Sequence, residues 1–353
     1  MKYLLNSKYM EAKKKKVILG MSGGVDSSVA ASLLQKSGFE VVGVFLEFWK
    51  TDNSNFDDAK KVADLLGITL HKVDAKDEFK KKIVDHFISE YKSGRTPNPC
   101  VLCNPNMKFR ILLNKMFELE GDFVATGHYA KIQEGRLFQA KDKRKDQSYF
   151  LYGLEKRQLE KILFPLGDHT KDEIRKIALD LNLPVAQKSE SQDICFVLGK
   201  DFGDFLKKYI KSEEGEILDT HEKVLGKHTG LPFYTIGQRK GINLGGDGPY
   251  YVVEKNISKN ELIVTNDPED SRLTKDEMIV REINWINENL SFPLKKEVKI
   301  RYQSDPICAT IEPIEDNLKK CRVKFDTPQK LVTPGQSAVF CDGHEVLGGG
   351  IID

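Results

Sequence analysis

A glycine- and serine-rich segment near the beginning of the chain has the residue types of a phosphate-binding turn. Residues 20–28 read Gly-Met-Ser-Gly-Gly-Val-Asp-Ser-Ser. Adjacent glycines let the backbone turn tightly and approach an anion, while serine hydroxyls and free N–H groups at a helix start can donate to phosphate oxygens. Asp26 can bind Mg²⁺. No lysine follows the glycines, so this is not the phosphate loop of kinases and GTPases. The alternative is an ordinary glycine-rich turn.

Cysteines form the second group of reactive side chains. Cys100 and Cys103 make a C-x-x-C pair within residues 96–104, and Cys195 lies further along the chain. Because prolines flank the pair, we expect an irregular loop that presents its thiols rather than burying them. Three thiols on two loops can bind a metal, form a redox couple or carry a sulfur atom. A structural zinc site lacks its fourth thiol here, and Cys195 can alternatively be a core residue.

Alternating strands and helices must position both groups. Such alternation predicts an α/β domain with a doubly wound parallel sheet, whose ligands lie beyond the carboxyl ends of the strands. The glycine-serine turn and Gly127-His128 both fall at such ends. A small hairpin is expected between residues 132 and 139, and Thr170 is expected to cap a helix. The patterns predict strands at 17–19, 41–45, 69–73 and 123–126, and helices at 28–34, 57–66, 77–91, 106–119, 171–178 and 202–210.

The pattern changes after about residue 213 to short apolar alternations separated by turn residues. This half of the chain is therefore predicted to be mainly β. A break near residues 271–275 divides it, and the last part is expected to form a β-barrel. We predict three domains, at residues 1–210, 211–275 and 276–353. Cys308, Cys321 and Cys341 are interpreted as core residues of the last domain.

Composition limits the class of protein. The chain has 353 residues, of which 40% are hydrophobic and 31% charged, the balance of a globular protein with several cores. We find no membrane-spanning or signal segment and expect a cytoplasmic protein without a membrane partner. Six cysteines in such a protein argue against a disulfide framework. A net charge of +2 does not by itself indicate nucleic-acid binding, which must come from local clusters such as residues 13–16 and 141–145.

Several motifs in a fixed order resemble one family over essentially the whole chain. The glycine-serine segment resembles the loop of PP-loop ATP pyrophosphatases, which split ATP into AMP and pyrophosphate. With the other motifs, the chain resembles the tRNA-specific 2-thiouridylases of the MnmA/TrmU family. Those motifs are SGGVDSS, GRTPNPC-x-x-C-N-x-x-x-KF, ATGHYA, KDQSYFL, the stretch ending at Cys195 and Phe196, GLPFYTIGQRKG and the final GGGII.

The resemblance implies ATP-dependent insertion of sulfur at C2 of the wobble uridine of tRNA. ATP would adenylate the uracil O2 with release of pyrophosphate, and sulfur would attack C2 and expel AMP. Cys103 matches the nucleophile, and Cys195 matches the cysteine that receives persulfide sulfur from a cysteine desulfurase or relay protein. This chemistry needs a low thiolate pKa, to which a nearby helix N-terminus can contribute.

The resemblance also implies two sets of binding residues, for the nucleotide with its Mg²⁺ and for tRNA, whose target base must leave the stack to react. The nucleotide set is Gly20, Met21, Ser22, Gly23, Gly24, Val25, Asp26, Ser27, Leu46 and Gly127. The tRNA set is Asn98, Pro99, Cys100, His128, Lys145, Asp146, Gln147, Arg301, Tyr302 and Gln336.

One residue departs from the family pattern, in which many members carry Asp at the position of Cys100. The change creates a set of three thiols, Cys100, Cys103 and Cys195, with no fourth ligand. Such a set can leave one iron of a [4Fe-4S] cluster open to sulfide. Two sulfur routes therefore stay open, a cysteine persulfide and a cluster. Two other functions also stay open: a PP-loop ligase that adenylates a small metabolite, and a non-catalytic RNA- or metal-binding module.

Overall fold

The computed structural model describes residues 14–49, 54–189, 194–197, 202–245, 248–286, 289–315 and 317–353. Lys13, part of one predicted basic cluster, lies outside these residues, as do residues 190–193 before Cys195. The strands are β1 (Lys16–Gly20), β2 (Glu40–Glu47), β3 (Thr69–Asp74), β4 (Phe123–Ala125), β5 (Lys131–Gln133), β6 (Arg136–Phe138), β7 (Ile162–Leu163), β8 (Gly215–Leu218), β9 (Val224–His228), β10 (Tyr251–Asn256), β11 (Glu261–Thr265), β12 (Thr274–Trp285), β13 (Leu294–Lys299), β14 (Ile307–Ile314), β15 (Asn317–Lys330), β16 (Ser337–Asp342) and β17 (Glu345–Ile352). The helices are α1 (Val25–Lys36), α2 (Ser54–Leu66), α3 (Lys76–Phe79), α4 (Asp85–Lys92), α5 (Pro99–Cys103), α6 (Arg110–Glu118), α7 (Lys156–Leu159), α8 (Lys171–Asp180) and α9 (Phe202–Lys207).

The first sheet is parallel and has the strand order β3-β2-β1-β4-β7. Its central strand, β1, is a run of fully buried Val17, Ile18 and Leu19, as expected for a strand covered by helices on both faces. Because β1 lies between β2 and β4, the chain order reverses beside it. The carboxyl ends of β1 and β4 therefore meet at the switch point of the sheet, where α/β proteins bind ligands. The predicted fold class is confirmed.

The predicted helices of this domain are present, together with two π-helical turns that the sequence pattern did not predict. Thr170 caps α8 as expected, and Glu173 completes a capping box by accepting from the Thr170 N–H at 2.7 Å. The helix predicted at 77–91 is interrupted by a π-helical turn, Lys80–Val84. A second π-helical turn, Asn104–Phe109, joins α5 to α6. Such turns occur frequently at functional sites.

The prediction of an irregular loop around the cysteine pair is wrong, because residues 99–103 form helix α5. Pro99 occupies its first turn, where the missing N–H costs nothing. Asn98 caps the helix by accepting from the Cys100 N–H at 3.2 Å. The i, i+3 spacing places the two thiols on one side of the helix, where Cys100 is exposed and Cys103 is buried.

The remaining sheets confirm two β-rich units after the α/β domain. The central sheet has the order β10-β11-β8-β9, and Ile217, Leu262 and Val264 form the centre of its core. The last unit is a closed barrel, because β12 pairs with both β15 and β17. The hairpin β5–β6 of the first domain extends the barrel sheet by pairing with β17.

The cysteines of the barrel do not all have the predicted environment. Cys321 and Cys341 are buried, as expected of core residues, but Cys308 is exposed. It lies on β14 opposite Glu297 of β13, on the outward side of the strand, while the next residue, Ala309, is fully buried. Alternation along a strand explains the difference. In the part of the chain that the structure describes, no helix is long and apolar enough to cross a membrane.

Polar side chains join the barrel to the first domain. The Tyr149 hydroxyl donates to the Ser337 carbonyl at 2.9 Å, and the Tyr152 hydroxyl lies 3.1 Å from Ser337 Oγ. Asn284 of β12 donates to the carbonyls of Tyr152 and Leu154, at 2.7 and 3.0 Å. These bonds satisfy backbone groups that docking of the barrel removes from water.

Replacing Asn284 with alanine tests this docking. We expect the Asn284→Ala substitution to lower the free energy of unfolding by about 2 kcal/mol, because two inward-facing carbonyls lose their donor. Urea denaturation followed by far-ultraviolet circular dichroism measures the change. The exposed Asn114 of α6 provides the control, for which the alanine variant should lose no more than about 0.5 kcal/mol. Equal effects at both positions would contradict a docking role.

Candidate active site

Serine hydroxyls hold the turn between β1 and α1 in shape. Ser27 Oγ accepts from the Ser22 N–H at 3.1 Å and donates to the Gly24 carbonyl at 3.2 Å. Ser28 Oγ donates to the same carbonyl at 2.8 Å. Ser22 Oγ lies 3.2 Å from Ser27 Oγ. The turn is therefore organised before any ligand enters, which lowers the entropy cost of binding an anion.

Two glycines are required here by close backbone contacts. Gly23 has a φ of +73°, and a Cβ added to it would lie 2.0 Å from the Asn55 carbonyl oxygen. A Cβ on Gly127, at the end of β4, would lie 2.8 Å from the Ser27 nitrogen. Backbone atoms cannot move aside as a flexible side chain can. The turn can approach α2, and the segment after β4 can approach α1, this closely only because both positions lack a side chain.

Asp26 is bound by two groups that sequence reasoning missed. Its Oδ1 accepts from Lys171 Nζ at 2.7 Å and from the Tyr129 hydroxyl at 2.9 Å. Lys171 is only 5% exposed, so its charge needs this counterion. Both contacts use the same carboxylate oxygen. The Asp26 carboxylate still lines the site and has the chemistry to hold Mg²⁺ through its other oxygen, which would neutralise phosphate charge.

Lys188 supports the other side of the turn and was also missed. Its ammonium group donates to the Gly23 carbonyl at 3.0 Å, to Asn55 Oδ1 at 2.8 Å and to Asp58 Oδ2 at 2.7 Å. The hydrogen bond from Lys188 to Asp58 holds the pKa of Asp58 below its usual value. Lys188 therefore fixes the strained glycine against α2, although it lies far along the chain from both.

A cavity of about 380 Å³ opens at the switch point and brings most of the predicted nucleotide residues together. Its lining also includes His128 and Gln147, which were predicted to contact tRNA, and one of the predicted reactive cysteines, Cys195. The predicted nucleotide residues that line it are Gly20, Met21, Ser22, Asp26, Ser27, Leu46 and Gly127. Gly23, Gly24 and Val25 complete the turn and lie outside the lining.

His128 is held as a neutral imidazole. Lys108 Nζ lies 3.1 Å from Nε2, and an ammonium group can only donate, so Nε2 accepts. Nδ1 then carries the proton and donates to Thr126 Oγ1 at 2.7 Å. Burial, aided by the charge of Lys108, lowers the pKa of His128 well below its usual value. The ring therefore stays uncharged at neutral pH.

The three predicted thiols lie near one another. Burial raises the pKa of Cys103 to about 11 and that of Cys195 to about 12, and each thiol lies close enough to Cys100 for a thiolate there to raise its pKa further. Cys195 and Cys100 are solvent-accessible at the surface of a recess, where surrounding protein still removes much of their hydration. The expectation of low thiolate pKa values is thus wrong for the nucleotide-free chain. Lys108 opposes the increase at all three thiols.

The cysteines have the ligand type of an iron-sulfur cluster, because thiolates are the usual ligands of such clusters. Within the described part of the chain, no three or more His, Cys, Asp or Glu side chains could hold a single metal ion. Cys100, Cys103 and Cys195 are the residues that would hold a cluster.

Some residues predicted to contact tRNA have internal partners in the structure. Asp146 is 5% exposed, and its carboxylate accepts from the Ala140 N–H and the Ser148 hydroxyl at 2.9 and 2.8 Å. Gln147 Oε1 accepts from the Tyr129 N–H at 3.0 Å. Gln147 therefore lines the cavity with its carboxamide bound to the backbone, whereas Asp146 is buried behind it. Lys145 beside them is partly exposed.

Other predicted tRNA residues lie near the junction with the barrel. The Tyr302 ring packs on Phe150 with centroids 4.4 Å apart, and its neighbour Arg301 is exposed. Gln336 Nε2 donates to the Thr96 carbonyl at 2.7 Å. Asn98 and Pro99 line a second cavity of about 380 Å³, distinct from the one that holds the glycine-serine turn.

The fold and the cavity define a class of protein, a PP-loop ATP-binding domain followed by two β domains. Family models agree with this division. The model described as tRNA methyl transferase HUP domain matches residues 15–199, the tRNA methyl transferase PRC-barrel domain matches residues 203–266, and the aminomethyltransferase beta-barrel domain matches residues 275–352.

Curated relatives identify the family. The chain is 44% identical to tRNA-specific 2-thiouridylase MnmA of Mannheimia succiniciproducens, covering 97% of this chain and 92% of the relative. The MnmA of Buchnera aphidicola is also 44% identical, with coverages of 97% and 98%, and MnmA 2 of Clostridium botulinum is 42% identical, with coverages of 96% and 98%. The chain belongs to the family of tRNA-specific 2-thiouridylases. Among solved structures, NMN synthetase of Francisella tularensis gives a TM-score of 0.34 at 16% identity over 51% of this chain and 67% of that chain, too weak to support an argument.

The adjacent glycines of the turn allow a matched test of its geometry. Gly23→Ala should lower the free energy of unfolding of the nucleotide-free protein by about 2 kcal/mol or more, because the residue has positive φ and its Cβ meets backbone. Gly24→Ala should cost no more than about 1 kcal/mol, since the nearest atom to its Cβ is Ser22 Oγ at 3.5 Å. Urea unfolding compares the two. Similar losses at both glycines would refute the steric argument.

Proposed function

We propose that this chain is an ATP-dependent tRNA-uridine 2-sulfurtransferase. One observation carries the proposal: the glycine-serine turn and the Cys195 thiol face the same cavity at the switch point of the sheet. An ATP-splitting loop alone would suit many ligases, but a thiol beside it can carry the sulfur atom that a thiolation transfers. The descriptions of the matching family models mention methyl transfer, whereas the curated relatives are named for thiolation. A cavity that contains a cysteine thiol favours thiolation.

Adenylation is the first step of the proposed reaction. The uracil O2 attacks the α-phosphate of ATP, an O–P bond forms, and the bond to pyrophosphate breaks. Free N–H groups at the start of α1 and the hydroxyl of Ser22 are placed to bind the departing pyrophosphate. Asp26 would hold the accompanying Mg²⁺. The step converts a poor leaving group, the carbonyl oxygen, into AMP.

Sulfur transfer follows at the thiols. A cysteine desulfurase or relay protein first leaves a terminal sulfur on Cys195. The anionic persulfide attacks C2, a C–S bond forms, and the C–O bond to AMP breaks. Cys103 then attacks Cys195 Sγ, forming a disulfide and releasing the electron pair to the sulfur on the base. A dithiol reductant returns both cysteines to thiols. A cluster-bound sulfide is the alternative sulfur source.

The RNA is proposed to span the first domain and the barrel. A base in the anticodon loop must leave its stack to reach the cavity. Exposed Arg301 can bind a phosphate beside the partly buried ring of Tyr302. Gln147 lines the cavity, and the partly exposed Lys145 lies two residues before it in the chain. Cys100, Asn98, Pro99, His128, Asp146 and Gln336 complete the proposed contact set. We place the reaction in the cytoplasm, where tRNA and ATP meet.

Mass analysis of tRNA tests the proposed function. Unmodified tRNA incubated with ATP, Mg²⁺, a dithiol and a desulfurase with cysteine should gain the mass difference of sulfur for oxygen at one uridine. Cys103→Ala and Cys195→Ala should each reduce the product by more than about a hundredfold, because each removes a reacting sulfur. Cys308→Ala, an exposed cysteine in the barrel, is the matched control and should retain full activity.

The same assay separates the rival functions. ATP consumption that requires tRNA and yields AMP agrees with the proposal. Turnover that proceeds without tRNA, survives Cys103→Ala and modifies a small acceptor would instead identify a metabolite ligase. Absence of any ATP turnover would identify a binding module.

The sulfur route requires a separate measurement. We expect iron-free enzyme to thiolate tRNA at the full rate, since transfer of sulfur from a persulfide on Cys195 needs no metal. Anaerobic reconstitution with iron and sulfide, followed by an absorption spectrum and an activity assay, checks this. A visible cluster band accompanied by activity only in the reconstituted protein would establish the cluster route and contradict the persulfide route.

A further inference from the structure

Lys108 lies where the nucleotide cavity meets the three thiols. Its side chain lines the cavity together with His128 and Cys195. Its positive charge acts on Cys100, Cys103 and Cys195 alike. One ammonium group therefore influences every sulfur of the proposed reaction.

Lys171 and Lys188, the other lysines of the site, are each neutralised by a carboxylate, and Lys108 differs from them in this respect. Lys171 forms a salt bridge with Asp26, and Lys188 forms one with Asp58, both at 2.7 Å. Among the described residues, by contrast, no carboxylate lies within salt-bridge distance of Lys108. Its hydrogen bond goes to a neutral imidazole. A positive charge without a counterion at the edge of a recess is available to stabilise an anion.

Local backbone geometry directs the same residue toward Cys103. Lys108 belongs to the π-helical turn that directly follows Cys103 and joins α5 to α6. The backbone N–H of Lys108 also acts to lower the pKa of the Cys103 thiol, against the larger effect of burial. Backbone and side chain of one residue thus both favour negative charge at this sulfur. His128, fixed by Thr126 on its other nitrogen, holds the ammonium group in place.

We propose that Lys108 is the positioning residue of the sulfur-transfer step, holding the Cys103 thiolate and the anionic sulfur on Cys195 while His128 supports it as a neutral hydrogen-bond acceptor. The inference rests on the proposed function and adds a residue to it. Each sulfur loses its proton to solvent before it attacks, and the electron pair of the anion forms the new bond. Lys108 enters no covalent step.

Site-resolved alkylation tests this role without requiring tRNA. Iodoacetamide labelling at pH 7.5, read by peptide mass spectrometry, gives the rate at Cys195 relative to the exposed barrel cysteine Cys308 in the same molecule. We expect Lys108→Met to lower this ratio about tenfold, which corresponds to a change of one unit in thiol pKa. Lys108→Arg should restore most of it, because the charge returns.

Lys115→Met is the matched control, since Lys115 lies in α6 and pairs with Glu118 at the surface. In Lys115→Met, the alkylation rate at Cys195 relative to Cys308 should equal that of the parent. In the thiolation assay, Lys108→Met should lower kcat about tenfold or more while KM for ATP stays within about twofold. A merely structural role would not produce this separation.

Two results would overturn the inference: an unchanged alkylation ratio in Lys108→Met, or a lowered ratio that Lys108→Arg does not restore. The arginine variant also guards against simple misfolding, which thermal unfolding of each variant checks directly. If the parent protein fails to thiolate tRNA while the alkylation ratios change as expected, the proposed function fails and the electrostatic role of Lys108 stands.

Discussion

Close contact between two backbones is the constraint on which the site depends. The end of β4 passes directly over the start of α1, and the absence of a side chain at Gly127 makes this approach possible. Adjacent parallel pairing of β1 with β4 forces the two strand ends together. The residues around Gly127 then provide successive functions, since Thr126 and His128 organise Lys108 while Tyr129 reaches Asp26. One short segment thus connects the glycine-serine turn to Lys108, which lines the same cavity as Cys195.

Charge balance follows from this crowding. Asp26 neutralises the buried Lys171, and removing one partner of such a pair would reduce the compensation of a buried charge. If ATP binds at the turn as proposed and Asp26 turns toward a divalent cation, phosphate oxygens would offer Lys171 negative charge at the same place. The pair would then be suited to an exchange of partners between the free and nucleotide-bound states. Lys108 differs because no carboxylate of the described residues lies within salt-bridge distance of it.

Local patterns predicted the fold well, and long-range contacts account for what they missed. Strand runs such as Val17 to Leu19 and the helix cap at Thr170 depend on only a few neighbouring residues, so both were predicted correctly. Helix α5 was missed because its prolines were treated as helix breakers, although a proline in the first turn is compatible with a helix. The partners of Lys171 and Lys188 lie 145 and 165 residues away, a separation that no local pattern encodes. The glycine-serine turn was recognisable, but the lysines that hold it were not.

The barrel and the cysteine helix are linked at both ends of the helix. Before it, the Thr96 N–H donates to the Pro334 carbonyl at 2.9 Å, and the Thr96 carbonyl accepts from Gln336. After it, Asn104 donates to the Phe150 carbonyl at 2.8 Å, and the Phe150 ring packs on Tyr302 of the barrel side. Because packed interfaces transmit displacement rather than absorb it, a shift of the barrel must change the setting of Cys100 and Cys103. An RNA held at Arg301 and Tyr302 would therefore act on the same contacts that position the thiols, which couples substrate binding to the geometry of sulfur transfer.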